Sequence, residues 1–195
     1  MSIYDCLTPF ELRGVEGQQG ADYCTKMMHA LPPAPVVDRV PYIMDKCKGK
    51  RVLNLGSESG TLHEKIGRVA MELYGVDKVS TADFVLDLDD SPALSGTYDL
   101  VVAGEILEHL ANPGGCLKAI RPLGCPLLIT APNAFSSIGT YWIQRGYEQV
   151  NTDHVSYYSY WTLKTLVERY GFTVQELAWY NGQPRISEGL IMLVN

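Results

Sequence analysis

The stretch Tyr98-Asp99-Leu100-Val101-Val102-Ala103-Gly104 is apolar almost throughout and ends in glycine. A run without polar alternation suits a strand covered on both faces, as in a parallel sheet flanked by helices. Shorter runs at 51–56, 72–77, 84–88, 127–130, 172–180 and 189–194 read as further strands. Between them the apolar residues recur at helical spacing: Val40, Ile43, Met44 and Cys47; Ile66, Val69, Ala70 and Leu73; Leu163, Leu166, Val167 and Tyr170. Asn112-Pro113 has the chemistry of a helix start, Ser159 that of an N-cap, and Gly49 and Gly171 that of helix stops. Strands alternating with helices imply an α/β protein with a doubly wound sheet. Ligands of such sheets lie outside the carboxyl ends of the strands. The segments 56–60, 77–80, 87–91, 104–112 and 131–158 are therefore where a site is expected.

The 195 residues suit one domain. Residues 1–38 show little periodicity and run into Leu31-Pro32-Pro33-Ala34-Pro35, so they read as an N-terminal extension and cap, with the domain proper at 39–195. Sixteen Lys and Arg against 22 Asp and Glu give a net charge of −6. That balance lacks the basic footprint of a sequence-independent nucleic-acid binder. The five cysteines are odd in number and contain no C-x-x-C pair, which argues against a disulfide framework or a zinc site and points to a reducing, cytoplasmic setting. No apolar run is long enough for membrane insertion.

Several motifs fall, in order, on the expected segments. Val52-Leu53-Asn54-Leu55-Gly56-Ser57-Glu58-Ser59-Gly60 is a strand followed by a glycine turn and a helix start. Asp77 closes the second strand, Asp87-Leu88-Asp89 follows the third, and Gly104-Glu105-Ile106-Leu107-Glu108-His109 follows the fourth. His154-Val155-Ser156-Tyr157-Tyr158-Ser159 precedes the last helix, and Tyr170-Gly171-Phe172 closes it. As an ordered set these pieces resemble class I S-adenosylmethionine-dependent methyltransferases, and in particular the ubiquinone-biosynthesis O-methyltransferase group, over roughly residues 39–195.

The resemblance implies a seven-stranded, mostly parallel Rossmann-like methyltransferase sheet with its last strand antiparallel. It implies S-adenosylmethionine as cofactor: Gly56, Ser57 and Gly60 at the methionine portion, Asp77 at the ribose, Asp87 and Leu88 at the adenine, and Gly104 and Glu105 near the sulfonium. Arg39 would meet the methionine carboxylate. Three departures stand out. Asn54 replaces the usual acid near the cofactor's ammonium, Ser57-Glu58-Ser59 replaces a more glycine-rich turn, and only nine residues separate Asp77 from Asp87, too few for the usual helix.

Glu105, Glu108 and His109 fall at i, i+3 and i+4, which on a helix would give all three one face. Two carboxylates and an imidazole suit Mg²⁺ or Mn²⁺. The same pattern holds metal in some relatives, including the small-RNA terminal 2′-O-methyltransferases, and His154 would then be the fourth ligand. Without metal, His109 and His154 are the candidate general bases. Ten of the fifteen Tyr and Trp residues lie between Tyr141 and Tyr180, and the 131–158 loop reads as a lid with aromatic walls.

The expected activity is methyl transfer to a small-molecule acceptor, at oxygen. The alternatives are a metal-assisted methyltransferase acting on a ribose hydroxyl or polymer end, and a non-catalytic binding or scaffold protein of the same fold. So short a chain leaves little for substrate recognition, so a shallow pocket, or one completed by a homodimer or a partner protein, is expected.

Overall fold

Near-continuous Val and Leu drive the centre of the sheet. In the computed structural model, which describes residues 29–57 and 60–195, β2 (Arg51–Leu55) pairs in parallel with β5 (Leu100–Gly104), residue for residue from Val52↔Leu100 to Leu55↔Ala103. Both strands are buried along nearly their whole length, as their unbroken apolar pattern predicts. Expectations that fall on residues 1–28 or on Glu58 and Ser59 lie outside the described residues.

Outward from β2 lie β3 (Glu72–Asp77) and the two-residue β4 (Phe84–Val85), both parallel. Outward from β5 lies β6 (Leu127–Pro132), then the antiparallel β8 (Gly189–Val194), then β7 (Val174–Tyr180). With a two-residue strand at Val36–Val37 as β1, the order is β1-β7-β8-β6-β5-β2-β3-β4. This is the mostly parallel doubly wound sheet expected, with one further strand. β1 (Val36–Val37) pairs with Trp179 and Tyr180, and so extends the sheet from a proline-rich stretch that reads as linker. Pro35 cannot donate, but its carbonyl accepts from the Trp179 N–H, which suits an edge position. No helix separates β3 from β4, as the nine-residue spacing requires.

The helices bury the stripes read from sequence. α1 (Arg39–Cys47) buries Ile43 and Cys47, and α2 (Thr61–Gly67) buries Ile66. These side chains meet Val52, Leu100, Val102 and Leu128 in one cluster on the same side of the sheet. α3 (Pro113–Ile120) starts as expected, with the Asn112 side chain accepting from the Gly115 N–H. α5 (Tyr160–Arg169) carries a capping box between Ser159 and Thr162. The thiols of Cys47, Cys116 and Cys125 are buried and unpaired, consistent with small core residues.

The segment 131–158 is more ordered than a loop. It contains α4 (Ser137–Ile143), capped by Ser136 accepting from the Gly139 N–H. Buried Asn133 fastens this segment to the β7–β8 turn. Its Nδ2 donates to the carbonyls of Arg185 and Ser187, and its Oδ1 accepts from the Phe135 N–H. Removing that amide leaves the buried Ser187 carbonyl, and the partly buried Arg185 carbonyl and Phe135 N–H, without these partners, at about 1–3 kcal/mol for a buried group and less for the others. Asn133→Ala is therefore expected to lower unfolding free energy by about 2 kcal/mol or more in urea titration; a change below about 0.5 kcal/mol would show that the amide does not hold the segment.

Candidate active site at the carboxyl ends of β3, β4 and β5

Because β2 and β5 end level, the turns that follow them are neighbours. Gly56 adopts φ +67, and a Cβ there would lie 1.9 Å from Cδ1 of Ile106. Only glycine lets the two turns pack this closely. Together with the ends of β3 and β4 they enclose a cavity of about 670 Å³. Asp77, Lys78, Asp87, Leu88, Asp89, Glu105, His109 and Asp153 are among its walls. Five acids against one lysine give it an acidic character.

Three of these acids are set by backbone N–H groups of nearby turns. Asp77 ends β3, and its Oδ1 accepts from the Val79 N–H. Asp87 caps the short 3₁₀ turn Leu88–Asp90 by accepting from the Asp89 N–H, while Asp89 accepts from the Asn112 N–H. Leu88 is buried between them. Of the residues expected at a cofactor, Gly56, Asp77, Asp87, Leu88, Gly104 and Glu105 line this one cavity. Ser57 and Gly60 are not among the lining residues. The Ser57 side chain packs against Gly75, and Gly60 caps α2. Asn54 also faces away from solvent, its amide 3.2 Å from Nδ1 of His63.

Residues 105–110 are not helical, and this changes the reading of the Glu-x-x-Glu-His spacing. The segment is a pair of turns closed by His109 N–H to Ile106 and Leu110 N–H to Leu107. Glu105 enters it in the left-handed region, φ +56. That backbone sends the Glu105 side chain away from Glu108 and His109 and towards β6 and β7. There its Oε1 accepts from Thr130 Oγ1 at 2.9 Å and the Tyr180 hydroxyl at 2.7 Å, and lies 3.3 Å from Nη1 of Arg39. Arg39 thus comes to Glu105, while its guanidinium also sits 5.6 Å over the Tyr180 ring. Burial, and next the Glu105 carboxylate, push the Tyr180 phenol up, so it stays a donor. Neither Tyr180 nor Thr130 stands out in the sequence, because each reads there as a strand residue.

The other three members of the expected metal set do converge. Ligand atoms of Glu108, His109 and His154 all lie within 4.8 Å of one another, and the two imidazoles meet edge to face at 4.6 Å. The Glu108 backbone carbonyl accepts from the N–H groups of Val155 and Ser156, which brings the two segments together. Glu108 is 1% exposed, and neither carboxylate oxygen has a hydrogen-bond partner among the described residues. Burial, and next Glu105, push its carboxyl up to about 8. His154 is pushed down, by burial first and then by His109, and so favours the neutral imidazole.

His154 also lines a second space, a groove of about 560 Å³ under α4. Its walls include Phe135, Ile138, Ile143 and Val150, and among the described residues Glu148 and Glu188 are its only acids, with His154 beside them. His109 lines the acidic cavity and His154 the apolar groove, so the imidazole pair marks the step between them.

Comparison with known proteins identifies the family and agrees with the fold. A family model described as a methyltransferase domain matches residues 28–177, and the chain belongs to that family. It is 28% identical over 123 residues to a ubiquinone biosynthesis O-methyltransferase of Pectobacterium atrosepticum, covering 51% of this chain and 49% of that protein. A protein of the same name from Burkholderia vietnamiensis is 31% identical over 97 residues, covering 39% and 42%. The chain thus spans about half the length of these curated relatives or less. Among solved structures it is similar to the small RNA methyltransferase HEN1, with a TM-score of 0.66, 13% identity and coverage of 86% of this chain and 27% of that one. It is also similar to magnesium protoporphyrin IX methyltransferase from Synechocystis, solved with bound S-adenosylhomocysteine, at TM-score 0.58, 14% identity and coverage of 96% and 99%.

The raised Glu108 carboxyl has a pH signature. Between the ordinary carboxyl value of about 4.3 and the folded value of about 8, the folded chain keeps a proton that the unfolded chain has released. Stability from this group is therefore full below the lower value and is lost as pH rises through the upper one. In chelator-treated protein, Glu108→Gln is expected to flatten the decline of Tm between pH 5 and pH 8 relative to wild type. Parallel Tm profiles for the two proteins would show that Glu108 is not held protonated.

Proposed function

We propose that the chain binds S-adenosylmethionine in the acidic cavity and transfers its methyl group to an oxygen of a small acceptor held in the groove under α4. The observation that carries this reading is the imidazole pair at the step between the two spaces. The cavity residues fit the cofactor: Asp77 and Asp87 offer acceptors for ribose hydroxyls and an adenine amine, Leu88 an apolar edge, and Gly56 an approach without a Cβ. An acidic lining also suits a ligand that carries a sulfonium. The volume is within the range of small-molecule sites.

The bound cofactor supplies the electrophilic methyl group, which leaves orientation and proton removal to the protein. His154 faces the groove and favours the neutral form, so it can take the proton from an acceptor hydroxyl. His109, on the cavity side, holds the neighbouring position and keeps positive charge off His154. No Lys or Arg is among the described residues lining the groove, which favours a small acceptor over a polyanionic polymer end.

A second reading adds a cation. The buried carboxyl of Glu108, without a hydrogen-bond partner among the described residues and beside two imidazoles, completes a donor set that fits Mg²⁺ or Mn²⁺, with Glu108, His109 and His154 as the holding residues. When bound there, the ion would lower the pKa of an acceptor hydroxyl.

Calorimetry with S-adenosylhomocysteine tests the cofactor site. Wild type is expected to bind and Asp77→Ala to lose at least 10-fold in affinity; equal affinities would remove Asp77 from the ribose. Turnover with catechol and simple phenols tests the base. His154→Ala is expected to lose about 10²–10⁴-fold in kcat with cofactor affinity unchanged. Binding of the cofactor product with no turnover on any such acceptor would favour the scaffold reading. Mn²⁺ titration of chelator-treated protein tests the second reading, since Glu108→Ala should abolish binding; a wild type that takes up no Mn²⁺ would eliminate it.

A further inference from the structure

An ammonium group is recognised by carboxylates that have no other cation beside them and by the faces of aromatic rings. The groove under α4 offers both. Glu148 and Glu188 line it together with the exposed rings of Phe135 and Tyr157. Neither glutamate takes part in any of the described ion pairs. The cation nearest to Glu148 in sequence, Arg145, is turned elsewhere. Its Nη1 donates to the Tyr141 carbonyl, and its guanidinium lies 3.6 Å from the centre of the Tyr141 ring.

Both acids are held in place by uncharged partners. The chain leaves α4 through Gly146, at φ +82, with the Gly146 N–H bonded to Ile143 and the Tyr147 N–H to Trp142. Glu148 follows directly, and its Oε1 accepts from the Tyr157 hydroxyl at 3.0 Å. That bond sets a carboxylate beside an aromatic side chain on the segment that carries His154. Glu188 immediately precedes β8. Its N–H donates to the Asn181 carbonyl, its own carbonyl accepts from the Asn133 N–H, and its Oε2 accepts from Asn181 Nδ2 at 3.2 Å. Oε2 of Glu148 and Oε1 of Glu188 accept none of the described hydrogen bonds. An otherwise apolar groove thus holds two carboxylates for which the described residues supply hydrogen bonds and no counter-charge.

Resting on the acceptor reading above, we infer that the groove takes acceptors that carry an ammonium group as well as the hydroxyl to be methylated, and that Glu148 and Glu188 select for it. The class is a hydroxylated amine with an apolar body: the body lies against Phe135, Ile138, Ile143 and Val150, the cation at the two acids and the hydroxyl at His154. The neutral imidazole that His154 favours does not repel such a cation. In the transfer the hydroxyl oxygen gains the methyl group as the bond from that methyl to sulfur breaks. The hydroxyl proton passes to His154, and the ammonium is left unchanged.

Three catechols test the charge: dopamine, whose side chain ends in an ammonium; 4-ethylcatechol, which is neutral; and 3,4-dihydroxyphenylacetate, which ends in a carboxylate. With saturating S-adenosylmethionine, kcat/KM is expected to be about fivefold or more higher for dopamine than for 4-ethylcatechol, and lowest for the carboxylate. Glu148→Gln and Glu188→Gln should each cut the dopamine preference about twofold or more, and the double variant should bring it near one. Glu148→Lys should put 3,4-dihydroxyphenylacetate ahead of dopamine. Each comparison is a ratio within one protein, so it does not depend on how much of a variant is folded. Raising NaCl from about 0.05 M to about 0.5 M should compress the wild-type preference, because exposed charges are screened. Equal kcat/KM for dopamine and 4-ethylcatechol in wild type would overturn the charge selection and leave the transfer reading standing. A preference that survives in the double variant would overturn the role of the two glutamates. If none of the three is methylated by protein that binds S-adenosylhomocysteine, the acceptor reading falls and this inference with it.

Discussion

Ile106 rests against the bare Cα of Gly56, and the site is built around that contact. It exists because β2 and β5 run parallel in register and end level. A methyl group at Gly56 would sit within bonding range of Ile106, so the two turns would have to separate. The turn after β5 carries Glu105, Glu108 and His109 in quick succession, and the turn after β2 leads to the cap of α2. Side chains from one turn are thereby held over the other, at the end of the sheet where α/β proteins bind ligands. The acids of β3 and β4 complete the wall from the other side.

In and behind that wall the charges are divided rather than pooled. Glu105 is held towards β6 and β7 and neutralised by Arg39, while Glu108, three residues on, is buried with no hydrogen-bond partner among the described residues. An unpaired carboxyl in such a place costs free energy unless it is protonated or meets a cation. The two imidazoles beside it are the groups that face the groove and the cavity. The polar cost is therefore concentrated at the one step where an acceptor and a methyl donor would meet.

Much of this was legible in the sequence. The apolar run at 98–104 located the central strand, Asn112-Pro113 and Ser159 located two helix starts, and the spacing from Asp77 to Asp87 foretold the missing helix. Asp77, Asp87 and Leu88 share a wall because each ends or follows a strand, and strand ends are visible as changes in hydrophobic pattern. What could not be read depends on backbone angles and long-range contacts. The i, i+3, i+4 spacing assumed a helix at 105–109, and a single positive φ at Glu105 removed that residue from the metal set. Tyr180 meets Glu105 across 75 positions of sequence, and β1 forms only because β7 is there to pair with it. The helix α4 was hidden by aromatic composition that reads equally as a lid.

The central claim is that the His109–His154 step separates a cofactor cavity from an acceptor groove. A crystal structure with bound S-adenosylhomocysteine tests it most directly. The account predicts the adenine beside Leu88, the ribose on Asp77 and the sulfur pointing towards the imidazole pair. A nucleoside lodged in the groove under α4, or a sulfur directed away from His109, would contradict it.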